Sequence, residues 1–177
     1  ARVRDDVYLI TQNALADSTY MSVLRDLYGN EIWIPAQDDS ARSFQRYVEE
    51  VSSGRRPRNA DLTIDGGRVQ VSGALGVMEI NGILAQMIFE HNSHRHDFYV
   101  EESYVIAWMY PYLTPHGLIM KINRDPTPLD PTTIRNDLDF WDWYTRRLVS
   151  RPAFLRDVVA RKSFSKLRSS IGGLYAN

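Results

Sequence analysis

Three absences limit what this chain of 177 residues can do. It contains no cysteine, which excludes disulfide bonds, thiolate catalysis and cysteine-ligated zinc sites. Neither sign of charge is in excess: the net charge is −1 and the pI is about 6.5, so electrostatics gives no reason to expect a nucleic-acid-binding protein. No apolar run approaches the roughly 20 residues that span a bilayer, and we therefore expect no membrane span.

Glycine is missing from the place where nucleotide-binding motifs need it. The first predicted strand, residues 7–10, is followed by Gln12 and Asn13, without the glycines of a dinucleotide-binding fingerprint. Phosphate-loop, nucleophile-elbow and H-E-x-x-H patterns are absent as well. The sequence therefore predicts no cofactor and assigns no catalytic residue.

What the chain does contain is an alternation of short apolar runs and amphipathic segments. Runs of strand length lie at residues 7–10, 32–34, 98–100 and 118–122, and residues 62–64 and 69–71 flank an Asp65-Gly66 turn typical of a hairpin. Helical periodicity occupies the intervals, including a long segment at 72–90 and a short aromatic one at 104–113. This order predicts an α/β fold with a small, mostly parallel, doubly wound sheet of the Rossmann or flavodoxin type.

Proline marks the predicted end of that α/β domain. Residues 125–131 hold three of the eight prolines, which is typical of a linker. We therefore predict an α/β domain at 1–124, a linker at 125–131 and an all-helical tail at 132–177, with helices at 132–149, 152–162 and 163–175. The last helix has a one-sided apolar stripe, as at the start of a tetratricopeptide-like array. Because the chain begins at Ala1 and stops in mid-pattern at Asn177, we expect it to be part of a longer protein.

Candidate site residues follow from the predicted sheet. Ligands of doubly wound sheets bind at the carboxyl ends of the strands, and oxygen-rich side chains there suit a hard cation or sugar hydroxyls. The candidates that the sequence places near those ends are Asn13, Asp17, Asp38, Asp39, Glu101 and Glu102. A structural role is the alternative, because Asp38 and Asp39 also stand where helix N-caps belong.

Two other groups of side chains have the chemistry of a ligand site. His91, His94 and His96 precede the strand at 98–100, and histidine is a common metal ligand, but their spacing favours a solvated turn over a metal site. The aromatic run at 140–144 could stack on a sugar ring, but its helical spacing favours packing in a core.

Several stretches together resemble a known family, namely Asp6–Tyr20, Val69–Ile83, Phe98–Ile122 and Lys162–Tyr175. The clearest local match is N-A-L-A-D-S-T-Y at 13–20, a turn that leads into a helix. The family that these stretches resemble comprises large bacterial multi-pass membrane proteins long labelled as of unknown function, which are related to the animal transmembrane protein O-mannosyltransferase.

The resemblance implies a place for this chain in a larger protein. In that family a membrane domain of the lipid-linked-sugar glycosyltransferase type precedes a soluble, extracytoplasmic (periplasmic) region, often with tetratricopeptide-like helices. The chain is similar to that soluble region, which implies acceptor recognition or bracing of the membrane domain, with the membrane domain of the same polypeptide and a protein or glycan acceptor as partners. The family's catalytic carboxylate lies in the membrane domain, so no catalytic residue is transferred to this chain.

Two alternatives stay open beside that function. One is a stand-alone α/β enzyme that uses the carboxylates for a metal or a sugar. The other is a protein-interaction scaffold whose helical tail begins a repeat array.

Overall fold

The computed structural model describes residues 7–56, 62–65, 68–71, 74–101 and 106–176. The chain divides into two compact units, Ala1–Asn92 and Ser93–Asn177. The division therefore falls after Asn92, whereas the sequence suggested a linker at 125–131. No helix within the described ranges is long and apolar enough to cross a membrane, as expected from the sequence.

The first unit is built mainly from helices. A 3-10 helix at Gln12–Ala14 precedes α1 (Ser18–Tyr28), and α2 (Gln37–Ser52) and α3 (Ala74–Asn92) follow. Strands β1 (Leu62–Asp65) and β2 (Arg68–Val71) pair antiparallel, which confirms the predicted hairpin, although its turn lies outside the described residues. Helix α3 packs against α2 and the 3-10 helix, and its Leu84 is fully buried.

Local sequence explains where α1 begins and ends. The Asp17 side chain accepts a hydrogen bond from Tyr20 N at 2.8 Å, which satisfies one of the free N–H groups of the first turn. Met21 and Leu24, three residues apart, are buried on one face. The helix stops at Gly29, as predicted from the sequence.

The second unit combines a small sheet with helices. Strands β3 (Phe98–Val100), β4 (Leu113–His116) and β5 (Ile119–Ile122) are antiparallel in the order β3-β5-β4. A 3-10 helix, Ala107–Tyr112, precedes β4. Pro115 is tolerated in β4 because this is an edge strand, and Gly117, with φ of 67°, lies in the turn to β5.

Helices α4 (Pro131–Val149), α5 (Pro152–Arg156) and α6 (Val158–Ala176) complete the second unit. Asp130 caps α4, since its carboxylate accepts hydrogen bonds from Thr132 N at 2.8 Å and Thr133 N at 3.0 Å. Helix α4 contacts β4 and α6 contacts β5. Their core contains buried side chains from the sheet and from both helices, namely Met120, Ile122, Trp141, Ile171 and Leu174.

The predicted parallel, doubly wound sheet of Rossmann type is wrong. The described strands pair only antiparallel, and the chain is mainly helical. Two expected strands, residues 7–10 and 32–34, are not strands. At Trp33 the reason is visible: its N–H donates to Asn92 Oδ1 at 2.7 Å and its carbonyl accepts from Asn92 Nδ2 at 2.9 Å. A side chain thus makes the hydrogen bonds that a neighbouring strand would make.

The segment at 7–10 is held by side-chain contacts with α1. The Tyr8 and Tyr28 rings meet edge to face, 5.3 Å apart, and Tyr20 Oη accepts a hydrogen bond from Thr11 N at 2.7 Å. A short apolar run does not by itself specify a strand, which is why periodicity alone misassigned it.

Candidate functional site

The structure gives the predicted site residues of the first unit local roles. Asp17 caps α1, and Asp39 is buried in the first turn of α2, where it accepts a hydrogen bond from Ala36 N at 2.7 Å and pairs with Arg42. Asp38 is exposed in the same turn, and Asn13 accepts a hydrogen bond from Asn81 at its backbone oxygen. Helix capping therefore accounts for Asp17 and Asp39 without a ligand.

The remaining predicted carboxylates belong to the second unit. Glu101 is exposed, and its Oε1 lies 3.7 Å from Lys166 Nζ. Glu102 lies outside the described residues. The parallel sheet that was expected to gather these carboxylates at one edge is replaced by antiparallel strands.

The three histidines lie around the end of α3. The His91 ring stacks on Trp33, with centroids 3.8 Å apart, and its Nδ1 donates to the Met87 carbonyl at 2.9 Å. His94 is exposed and His96 is half-buried. Within the part of the chain that the structure describes, no three His, Asp or Glu side chains lie close enough together to hold a metal ion.

Two buried asparagines of α3 organise the first unit. Asn81 Oδ1 accepts from Ala16 N at 2.7 Å and its Nδ2 donates to the Asn13 carbonyl at 2.9 Å. Asn92 holds Trp33 in the same way. Because both amides use their donor and acceptor on the backbone of a loop, they are structural clamps and are not available to a ligand.

An ionic group joins α2 to α3. Glu50 pairs with Arg46 at 2.9 Å and with Arg56, and Arg56 also reaches Glu79. The Arg56 and then the Arg46 hydrogen bonds hold the pKa of Glu50 below its usual value. Each charged side chain in the group has a partner, so we assign the group a role in stabilising the fold.

A polar cluster lies between α4 and α6, and we call Asp137, Trp141 and Tyr175 the α4–α6 polar cluster. The Tyr175 hydroxyl donates to Asp137 Oδ2 at 2.7 Å. Burial raises the pKa of Asp137, while the Tyr175 hydrogen bond and the Arg168 charge act in the opposite direction. Burial and the neighbouring carboxylate also raise the pKa of Tyr175.

Two polar atoms of this cluster, Asp137 Oδ1 and Trp141 Nε1, are buried without a hydrogen-bond partner, and so is Ser170 Oγ on α6. Most buried polar atoms in proteins are paired, so these three atoms are unusual. Asp137 was not among the residues predicted from the sequence. Its position four residues before Trp141, on the face that α4 turns inward, is a signal that could have identified it.

The aromatic run at 140–144 divides between core and surface. Trp141 is buried, and its ring contacts Phe164 of α6 at 5.7 Å, which agrees with the expected packing. Trp143 is 54% exposed and lines a shallow pocket of about 460 Å³ with Asp142, Arg146 and Arg147. The Arg147 guanidinium lies over the Trp143 ring, 5.7 Å from its centroid, which is a cation–π distance.

Two parts of the chain expose several large apolar side chains. In the first unit, the α1 patch comprises Val7, Leu9, Val23 and Leu27, with exposures of 51%, 76%, 46% and 64%. In the second unit, the α5–α6 corner exposes Leu155, Val158 and Val159, at 50%, 52% and 74%. Contiguous exposed apolar side chains are typical of interaction surfaces.

Comparisons with known proteins give no relative: no family model, no curated protein and no solved structure matches the chain. Any function must therefore be argued from the residues themselves.

Proposed function

We propose that this chain is a non-catalytic, extracytoplasmic domain of a membrane glycosyltransferase-like protein and that it binds protein through the α1 patch. Its partner is either the membrane domain of the same polypeptide, which it braces, or a protein acceptor. The resemblance described above supports the larger setting. The α1 patch is the observation that supports the protein-binding role.

The segment at 7–11 runs beside α1, which brings its exposed apolar side chains near those of the helix. Tyr8 lies against Tyr28 near one end of the helix, and Thr11 is bonded to Tyr20 near the other. Between these contacts the apolar side chains of Leu9 and Leu27 are exposed to water. Covering such a surface removes apolar area from water, at roughly 25 cal/mol per Å².

The charges around the α1 patch favour a protein partner over an anionic one. Asp26 and Glu31 are exposed at the same end of α1, and the nearby cation, Arg25, is turned inward to donate to the Pro35 carbonyl at 2.7 Å. An apolar surface with an acidic rim suits a complementary protein surface and repels nucleic acid or anionic lipid.

A single cysteine can test both the location and the partner, because this domain has no other thiol. In the longer membrane polypeptide, Leu27→Cys is labelled on intact cells with a membrane-impermeant, thiol-reactive photo-cross-linker. We expect labelling without lysis, and a cross-link either to the membrane domain, which indicates bracing, or to a separate protein, which indicates acceptor recognition.

The matched control is Leu75→Cys, a leucine of the same unit that is 56% exposed but belongs to α3. Labelling only after lysis would contradict the extracytoplasmic location. Cross-links from Leu27→Cys that are no stronger than those from the control would contradict the protein-binding role.

A further inference from the structure

The α5–α6 corner differs from the α1 patch in its charge. Its three exposed apolar residues lie among four exposed cations, Arg151, Arg156, Arg161 and Lys162. Residues 151–162 hold these four cations and one anion, a net charge of +3, in a chain whose net charge is −1. The basic and apolar side chains are therefore concentrated in one short stretch.

Local geometry brings several of these side chains close together. Leu155 N bonds to the Arg151 carbonyl at 3.3 Å, and Arg161 N bonds to the Asp157 carbonyl at 3.1 Å, so α5 turns directly into α6. On α6, residues three or four apart are neighbours, which puts Arg161 and Lys162 next to Val158 and Val159.

The cations of the corner have no ion-pair partner among the residues that the structure describes, whereas Arg42, Arg46, Arg56, Lys121, Arg146 and Lys166 each have one. The one anion, Asp157, accepts a hydrogen bond from Ala160 N at 3.0 Å, and so serves the start of α6. The positive charge is therefore available to an outside partner.

We propose that the α5–α6 corner docks on the surface of an anionic lipid bilayer, with Leu155, Val158 and Val159 inserted below the headgroups and the four cations among them. A bilayer can bind both the cations and the apolar side chains of the corner, because lipid phosphates lie directly above hydrocarbon. Nucleic acid offers the phosphates without the apolar layer beneath them. The inference stands on the corner alone and goes beyond the protein-binding role of the α1 patch.

The test is co-sedimentation of the full chain with large vesicles of phosphatidylcholine, alone or with about one-third phosphatidylglycerol. We expect binding to the anionic vesicles only, weakening as salt is raised because surface charges are screened. Val158→Asp/Val159→Asp should lower the partition coefficient about tenfold or more, since both apolar anchors become anionic. Val159→Asp alone, at the most exposed position, should give a smaller loss in the same direction.

The charge contribution has a matched control. Arg161→Glu/Lys162→Glu should reduce binding about tenfold or more. Arg124→Glu/Arg135→Glu reverses the same number of exposed charges in the same unit and should keep most of the binding. Val23→Asp/Leu27→Asp, which alters the α1 patch, should also keep it.

Three results would overturn the proposal. They are absence of binding to anionic vesicles, equal loss in the two charge-reversal variants, and full binding by Val158→Asp/Val159→Asp, which would reduce the interaction to adsorption by charge alone. Circular dichroism of each variant checks that the fold is kept. Because the cross-linking experiment uses Leu27 and this one uses the α5–α6 corner, either proposal can fail while the other stands.

Discussion

Helix α3 and the helix pair α4–α6 both bury polar side chains, but these side chains differ in how completely they are hydrogen-bonded. Asn81 and Asn92 of α3 are 2% and 4% exposed, and each amide both donates to and accepts from loop backbone. Asp137 of α4 is 5% exposed, but its Oδ1 has no hydrogen bond, and neither do Trp141 Nε1 and Ser170 Oγ.

The difference separates two uses of buried polarity. A fully paired buried amide fixes one geometry, because any other leaves donors and acceptors without partners. An incompletely paired carboxylate costs free energy in its charged form and much less when protonated. We therefore expect α3 to be sensitive to loss of an amide, and the α4–α6 polar cluster to be sensitive to pH.

The largest effect should come from removing an α3 clamp. Asn92→Ala strips Trp33 of both backbone hydrogen bonds and leaves a cavity, so we expect a loss of about 3 kcal/mol in the free energy of unfolding. Urea denaturation followed by circular dichroism measures this loss. Asn30→Ala, at an exposed position, is the control and should change the same quantity by less than about 0.5 kcal/mol. A loss below about 1 kcal/mol in Asn92→Ala would show that the clamp is dispensable.

A smaller, pH-dependent effect is expected at Asp137. Its folded pKa lies above the ordinary value of 3.8, so just above that pH the folded unit keeps a proton that the unfolded chain releases. The stabilisation is complete below 3.8 and is lost as the pH rises through the folded pKa. Tyr175, which donates its hydroxyl to the carboxylate and whose pKa is raised, stays neutral in this range.

The variant Asp137→Asn removes this titration. We expect its melting temperature to exceed that of the wild type by roughly 5 °C near neutral pH, and the difference to shrink as the pH falls towards 4. Asp139→Asn, an exposed carboxylate on the same helix, is the matched control. A difference between Asp137→Asn and the wild type that stays constant with pH would contradict a raised pKa.

Sequence periodicity predicted the helices well, for physical reasons. Helices α1, α2, α3 and α4 carry apolar stripes and clear end signals, such as Asp17 and Gly29 around α1 or Asp130 before α4. The break between the last two helices falls at Asp157, and the sequence placed it at 162/163. An acidic side chain that caps the next helix was the overlooked signal.

The sheet and the site could not be predicted in the same way. Ile32 and Ile34 are buried like strand residues, but the partner of the intervening Trp33 is a side chain 59 residues away, which no local pattern reveals. Without the parallel sheet, no common edge is left to gather Asn13, Asp38 and Glu101 into one site. Strand β4 was missed because the preceding aromatic segment has helical spacing up to Leu113.

The smallest effects should come from polar atoms that are buried without hydrogen-bond partners. They test whether hydrogen bonding, or burial alone, makes the asparagines of α3 differ from the buried polar side chains of α4 and α6. Ser170→Ala in α6 and Tyr47→Phe in α2 each remove one unpaired hydroxyl, from residues that are 6% and 1% exposed. Because no hydrogen bond is lost, we expect changes within about 0.5 kcal/mol in the free energy of unfolding, or slight stabilisation, by urea denaturation. The hydroxyl of Tyr47 belongs to the unit that contains the asparagine clamps, so a small effect there would assign the contrast to pairing and not to the unit. A loss above about 1 kcal/mol in either variant would mean that the hydroxyl has a partner in solution, such as a buried water.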